Sequence, residues 1–224
     1  MTLALGWSGG KDSALALHGL RAAGREPAAL ITTITEGVER ISIHGVRREL
    51  LHAQARALGI PVVEVRIPLP CPNEVYEAQM EAVLAAPPLD AVTEVAFGDL
   101  FLEDIRSYRE ERLAPTGRRA LFPVWGQDTA ALATAFVDQG FEAILAAVDP
   151  RFLDASFAGR AYDAELLADL PPDVDPCGEN GEFHTFVHAG PIFDAPIAVA
   201  TGEVVERSGY VYADILPAQA SAAA

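Results

Sequence analysis

The first hundred residues alternate short apolar runs with amphipathic segments of helical period, and this alternation limits the fold more than any other sequence feature. The apolar runs, which are typical of buried strands, are residues 3–7, 28–35, 62–67 and 91–97. The helical patterns between them are a segment that ends near residue 24, then 46–58 and 74–85. Parallel strands are joined by crossovers of a dozen or more residues, usually helices. The sequence therefore predicts an α/β fold whose doubly wound parallel sheet carries helices on both faces.

The pattern is less regular after Gly98. The later segments are helical patterns at 103–113 and 129–139, apolar runs at 121–125 and 141–148, a loop-rich stretch at 149–190, and β-patterned runs at 197–205 and 210–215. Residues 218–224 are small and polar, which predicts a frayed end. We therefore expect a first domain of residues 1–122 and a smaller α+β domain of residues 123–224.

Composition excludes several classes of protein. Apolar residues make up 50% of the sequence, which argues against intrinsic disorder. The net charge of −16 disfavours nucleic acid as a partner, because a phosphate backbone is bound mainly by Lys and Arg. The two cysteines are far apart and too few for a disulfide framework or a zinc ribbon. No apolar run approaches the roughly 18 residues of a membrane span. We expect a cytoplasmic protein with a small-molecule or protein partner, and a homodimer is compatible with the sequence.

A glycine-rich loop stands between the first predicted strand and the first predicted helix. Its members are Ser8, Gly9, Gly10, Lys11, Asp12 and Ser13. The glycines let the backbone approach an oxyanion closely, and the helix N-terminus directs N–H groups and a positive dipole end towards it. Lys11 adds a mobile charge, and Asp12 would bind Mg²⁺ or orient Lys11. The pattern is neither a Walker A loop nor a Rossmann fingerprint. The alternative is a turn that caps a helix, with both charged side chains exposed.

A second group of polar residues lies at 175–188, on a loop that leads into a strand predicted at 183–187. Its candidate members are Gly178, Glu179, Glu182, His184, Thr185 and His188. The alternative is a polar hairpin with incidental acids. Two further options are a zinc site from Cys177, His184 and His188, whose spacing is loose, and Cys177 as a nucleophile.

The glycine-rich loop resembles the SGGxDS loop of the N-type ATP pyrophosphatases, also called PP-loop enzymes. This group contains the asparagine, NAD and GMP synthetases. The resemblance implies that ATP is cleaved between its α and β phosphates and that AMP passes to a carboxylate or similar oxygen.

Motifs along the whole chain resemble the diphthine–ammonia ligase family, also called the diphthamide-synthesis ATP-binding domain. They are residues 7–13, Phe97-Gly98-Asp99, the EDIR run at 103–106, the FPVWG run at 122–126, the CGENGEFHTFV run at 177–187 and the GPIF run at 190–193. The resemblance implies a HUP-type nucleotide domain and a smaller domain that carries the Gly-Glu loop. It also implies ATP with Mg²⁺, adenylation of a carboxylate, and displacement of AMP by ammonia.

The segment at 39–48 departs from the pattern of the diphthamide-making members. Its His-Gly-Val-Arg run resembles a bacterial branch of the family, for which a role near cobalamin metabolism has been suggested. This segment should face the substrate, so a cobalamin-related acid is the alternative to diphthine.

The resemblance also implies roles for individual residues. The loop at 8–13 would hold the β and γ phosphates, while Gly98 and Asp99 would line the nucleotide crevice at the end of a strand. The alternative for Asp99 is a helix N-cap. His44 and Arg47 would bind the substrate carboxylate or the α-phosphate, or else only begin a helix. Asp104 and Arg106 are expected to pair on an exposed helix face.

The Gly-Glu loop would supply the groups that act on ammonia. Glu179 and Glu182 would hold Mg²⁺ or take a proton from ammonium, with Glu182 the preferred base. His184 is a second candidate, and Gly178 and Thr185 would contact the substrate. Lys11 and Asp12 complete the predicted catalytic set.

Two other functions share the glycine-rich loop. An enzyme of tRNA thiolation or lysidine formation is disfavoured by the charge of −16 and the lack of CxxC pairs. A non-catalytic ATP or AMP sensor accounts for the first loop but leaves the second acidic loop without a role.

Overall fold

A computed structural model describes residues 2–218 and contains two sheets. The elements up to residue 121 are β1 Thr2–Gly6, α1 Lys11–Ala22, β2 Ala29–Thr35, β3 Arg40–Ile41, α2 Arg48–Leu58, β4 Val62–Ile67, α3 Asn73–Leu84, β5 Val92–Ala96, α4 Glu103–Leu113 and β6 Arg119–Leu121. The later elements are α5 Thr129–Asp138, β7 Glu142–Val148, α6 Ala164–Asp169, β8 Phe183–Ala189, β9 Val199–Arg207 and β10 Tyr210–Pro217.

The first sheet is parallel except for the short β3. Strand β1 pairs with both β2 and β5, β4 pairs with β2, β6 pairs with β5, and β3 runs antiparallel to β2. Strands β2 and β4 thus lie on one side of β1, and β5 and β6, which come later in the chain, lie on its other side. The helix that follows β1 lies on one face of the sheet and the helix that follows β5 lies on the other, so this is the switch point, where open α/β sheets bind their ligands.

The second sheet is antiparallel, with the order β8-β7-β10-β9. One hydrophobic core joins it to the face of the first sheet that α1 and α2 cover, and this core includes Leu5, Leu17, Phe136 and Phe186. A separate, smaller core lies on the opposite face and includes Val65, Val95 and Leu84. The second sheet therefore packs against one side of the first and leaves α3 and α4 on the other.

The α/β class, the four strands before residue 98 and the three helices between them are confirmed, with ends that differ by a few residues. The apolar run at 121–125 overlaps β6 only at Leu121. Strands β3 and β6 and helix α6 have no counterpart among the predicted elements. The division at residues 122 and 123 stays a prediction. Residues 219–224 of the predicted frayed end lie outside the described residues.

Within residues 2–218, the helices are all too short or too polar to cross a bilayer.

Asp214 on β10 ties the second sheet to the segment before α2. Its Oδ2 accepts from Arg47 Nη2 at 2.6 Å, and its Oδ1 accepts from Arg40 Nη1 at 2.9 Å. The hydrogen bonds from Arg47 hold the pKa of Asp214 at about 2. Its stabilising contribution is therefore complete above its ordinary pKa of 3.8 and is lost as the pH falls towards 2.

We expect Asp214→Asn to lower the free energy of unfolding by about 1–2 kcal/mol at pH 7, allowing for partial solvent screening. Urea denaturation of the two proteins measures the difference. Asp169→Asn is the control, because Asp169 pairs with Arg160 on the surface, where such pairs contribute little. Equal losses in both variants would contradict a special role for Asp214.

Candidate active site

One continuous cleft of about 820 Å³ opens at the carboxyl ends of β1 and β5. Most of the residues predicted for the site line it. These are Ser8, Lys11, Asp12, Ser13, His44, Gly98, Asp99, Gly178, Glu179, His184 and Thr185. The structure therefore brings the glycine-rich loop, the end of β5 and the Gly-Glu loop to the same cavity, although they are far apart in the sequence.

The glycines of the first loop are required by close contacts. Gly9 has φ +80°, and a Cβ there would lie 2.7 Å from Gln54 Oε1. A Cβ on Gly10 would lie 3.0 Å from the carbonyl oxygen of Thr185. A Cβ on Gly98 would lie 2.7 Å from the backbone carbon of Asp12, so the loops after β1 and β5 touch. The loop is thus held from three sides, as a preformed anion site needs.

Gln54 on α2 is fully buried and clamps this loop, a role that sequence reasoning missed. Its Nε2 donates to the carbonyl oxygens of Gly9 at 2.9 Å and Val187 at 2.7 Å, and its Oε1 accepts from Trp7 Nε1 at 2.9 Å. The available signal was a polar residue within the apolar stripe of an amphipathic helix, next to Leu51 and Leu58. A buried amide in such a stripe is retained only when its groups are hydrogen-bonded.

Lys11 is buried at the start of α1, and its Nζ donates to both carboxylate oxygens of Asp12, at 2.8 and 2.9 Å. Burial alone lowers the pKa of Lys11, but the attraction of Asp12 outweighs it and the pKa is raised. Lys11 is therefore a cation at neutral pH. Its backbone N–H donates to Thr185 Oγ1 at 3.0 Å, which joins the loop to β8. Of the two roles predicted for Asp12, the structure displays the orientation of Lys11.

Magnesium fits this cleft only as a partner of phosphate. Among residues 2–218 there is no group of three His, Cys, Asp or Glu side chains arranged to hold a metal ion. Mg²⁺ is commonly bound through one or two carboxylates together with substrate phosphates and water. Asp12 is suitably placed as one such carboxylate.

The two glutamates of the Gly-Glu loop have different positions. Glu182 is buried outside the cleft, and its oxygens accept from the backbone N–H groups of Asp175 at 3.0 Å and Asn180 at 2.9 Å. It holds the loop together, so the prediction of Glu182 as the base is wrong. Glu179 lines the cleft and accepts from the Leu100 N–H at 2.7 Å. Burial, with the charge of Asp12 nearby, raises the pKa of Glu179 to about 7.

His44 and His184 face each other with their ring centroids 4.5 Å apart. Burial lowers the pKa of His184 to about 4 and that of His44 well below its usual value, and the charge of Lys11 adds to both shifts. Both rings are therefore neutral at pH 7. His184 Nε2 is buried without a hydrogen-bond partner among the described residues. A pKa this low makes His184 a weak base, so it is better suited to hydrogen bonding than to accepting a proton from ammonium.

Arg47 does not reach the cleft. Its guanidinium binds Asp214, so the predicted contact with a substrate carboxylate or α-phosphate is corrected. Asp99 does line the cleft, where its carboxylate accepts from Arg109 Nε at 2.6 Å. Helix α4 begins only after Leu102, so Asp99 is not its N-cap.

Three more predictions disagree with the structure: the pairing of Arg106 with Asp104, Cys177 as a nucleophile, and the zinc site. Arg106 pairs with Glu110 at 3.0 Å and lies over the Trp125 ring, rather than pairing with Asp104. Burial raises the pKa of Cys177 to about 12, so its thiol stays protonated and is a poor nucleophile. The zinc site from Cys177 and two histidines is absent, since the described residues contain no such cluster.

The fold and the cleft define a two-sheet α/β protein with a glycine-rich loop at the switch point of its parallel sheet. The family model described as the diphthamide synthase N-terminal domain matches residues 1–116, and that of the diphthamide synthase C-terminal domain matches residues 128–217. The chain therefore belongs to the diphthamide synthase family.

A curated relative is the diphthine–ammonia ligase of Schizosaccharomyces pombe. It is 25% identical over 224 residues, which cover 90% of this chain and 36% of the relative. The chain thus spans about a third of the length of that protein. A solved structure, described as a predicted subunit of tRNA methyltransferase from Methanocaldococcus jannaschii, is 21% identical with a TM-score of 0.42. It covers 74% of this chain and 84% of the other, and at this TM-score the likeness supports no functional conclusion.

Proposed function

We propose that this chain is an ATP-dependent carbon–nitrogen ligase of the ATP pyrophosphatase type. It adenylates a carboxylate with release of pyrophosphate and then forms an amide with ammonia, releasing AMP. The observation that carries the proposal is the placement of the glycine-rich loop and Glu179 in one cleft. The name of the yeast relative, diphthine–ammonia ligase, supports the same reaction class.

Lys11 and the loop of residues 8–13 act on the phosphates of ATP. A carboxylate oxygen of the substrate attacks the α-phosphorus, the bond to the β-phosphate breaks, and pyrophosphate leaves. The Lys11 cation and the N–H groups at the start of α1 stabilise the charge that develops on this leaving group. Mg²⁺, held by the phosphates with Asp12, would neutralise further negative charge.

Glu179 acts in the second step. Ammonia is present mostly as ammonium at neutral pH. The ammonium ion must lose a proton before its nitrogen can attack the acyl carbon. A base with a pKa near 7 is well matched to this transfer. After the attack, the nitrogen loses a second proton and AMP departs with the bonding electrons of its C–O bond.

The acid substrate is diphthine or another carboxylate, such as a cobalamin-related acid. The His-Gly-Val-Arg segment bears on this choice, because His44 lines the cleft while Arg47 does not. With a net charge of −16, the chain is suited to a small or protein-borne acid and to ammonium rather than to nucleic acid.

Product analysis tests this proposal. Purified protein with ATP, Mg²⁺, ammonium and candidate acids should release AMP and pyrophosphate in equal amounts. Release of ADP and phosphate would overturn it. Binding of ATP without turnover under all conditions would favour the alternative, a nucleotide sensor.

We expect Glu179→Gln to slow amide formation by about 10²–10⁴-fold, the usual contribution of a general base, while pyrophosphate release in the first turnover persists. Rapid-quench measurement of both products separates the steps. Glu182→Gln is the matched control on the same loop. It should lower the melting temperature, because Glu182 binds backbone N–H groups, without selectively slowing the ammonia step. Equal effects of the two variants on that step would contradict the role of Glu179.

The pH profile gives a second readout of the same residue. At fixed total ammonium, the wild-type rate should rise as Glu179 loses its proton and level off above pH 7. An enzyme that takes up free ammonia would instead keep accelerating until ammonium itself is deprotonated. A continued rise above pH 7 in the wild type would therefore argue against Glu179 as the base.

A further inference from the structure

The cleft does not end at the phosphate loop but continues between α3 and α4. We call this extension the apolar arm. It is lined by Tyr76, Met80, Leu84, Val95, Ile105 and Tyr108. Val95 belongs to β5, the strand that leads to Gly98 beside the glycine-rich loop, so the floor of the arm runs directly to the site of the phosphates.

The arm exists because α3 and α4 cover their side of the sheet incompletely. Each of these helices buries a single residue, Leu84 on α3 and Leu113 on α4. Helix α1 on the opposite face buries seven residues and α2 buries five. The faces of a parallel sheet are normally both covered. On α3, Tyr76 and Met80 lie one helical turn apart, line the cavity and are only half-buried, so their apolar surface is available to a ligand.

The charges at the arm exclude a phosphate-bearing ligand. Arg109 is paired with Asp99 at 2.6 Å, and Arg112 is paired with Glu77 at 2.8 Å. Glu81 and Glu111 also line this part of the cleft. There is thus no surplus positive charge for a second anionic group, and the apolar walls fit a neutral hydrocarbon or aromatic body.

We propose that the apolar arm binds the apolar body of the carboxylic acid that is activated at the phosphate loop. This inference depends on the proposed function only for what happens to the carboxylate after binding. The binding of the apolar body does not depend on it. The substrate class is an alkyl or aryl carboxylic acid whose charged end lies towards Lys11 and whose body extends between the two helices. Burial of each methylene group then adds to the affinity.

The test uses straight-chain carboxylates from butanoate to octanoate, titrated without nucleotide and followed by ligand-observed NMR. Met80→Trp fills the arm, and Gln79→Trp places the same side chain on the exposed side of the same helix. The affinity of the wild type and of Gln79→Trp should rise about threefold to fourfold per methylene. In Met80→Trp this rise should vanish.

An affinity that does not depend on chain length, or a rise that survives in Met80→Trp, would overturn the proposal. Ile105→Trp fills the arm from α4 and serves if Met80→Trp does not fold, with Ser107→Trp as its exposed control. The titration is independent of catalysis. Lack of AMP and pyrophosphate release would therefore refute the proposed function alone, and lack of chain-length dependence would refute the arm alone.

Discussion

Replacing Lys11 by Met is expected to reduce pyrophosphate release by about 10²–10³-fold, the usual effect of removing one group that stabilises developing charge. Met has a similar length but no charge, and it can remain in the buried space against Phe183, whose ring lies 5.5 Å from Nζ. Steady-state and single-turnover assays measure the loss. Circular dichroism establishes that the variant is folded.

Lys11→Arg is the companion variant. The guanidinium keeps the charge but is a rigid planar fork, while this site holds a compact ammonium between both oxygens of Asp12. It should retain more nucleotide binding than Lys11→Met and still be impaired in turnover. Wild-type turnover in Lys11→Met would contradict its role.

Replacing Gln54 by Leu is expected to cost about 3 kcal/mol or more of folding stability, because it leaves two buried polar groups without partners. Those groups are the Trp7 indole N–H and the carbonyl oxygen of Val187, while Gly9 keeps one bond from the Val187 N–H at 2.9 Å. For a chain of this size, this corresponds to a fall in melting temperature of about 6–12 °C. Calorimetry of the variant measures it.

Gln79→Leu makes the same change at an exposed position of α3 and should leave the melting temperature within about 2 °C of the wild type, as expected for surface substitutions. In Gln54→Leu the affinity for ATP should also fall, because Gly9 is held in its left-handed conformation partly by this amide. Equal melting temperatures in the two variants would show that the clamp contributes nothing to stability.

Local patterns were sufficient to predict the first half of the fold. Apolar runs and helical periods report burial along one element, and glycine with lysine between a strand and a helix indicates an anion site. The loop at 8–13 and its placement at the end of β1 follow from these local signals. The weak packing of α3 and α4 does not, since their sequences show ordinary helical patterns.

The sequence could not show which of the two glutamates of the Gly-Glu loop faces the cleft. Glu179 and Glu182 are three residues apart on one glycine-containing loop and have the same chemistry. Their roles differ because the turn directs Glu182 onto the N–H groups of Asp175 and Asn180, and directs Glu179 into the cleft. In a loop without regular structure, side-chain direction has no period that a sequence can display.

The sequence by itself determined the class of fold and marked the glycine-rich loop and the Gly-Glu loop as candidate site segments, because each of these features depends on residues adjacent in the chain. The tertiary structure decided which side chains face the cleft: Glu179 rather than Glu182, His44 rather than Arg47, and Gln54 as the clamp. These choices depend on packing between α2, β8 and β10, and α2 lies more than a hundred residues before the two strands. The environment that sets a pKa or satisfies a buried amide is assembled only when such distant elements come into contact.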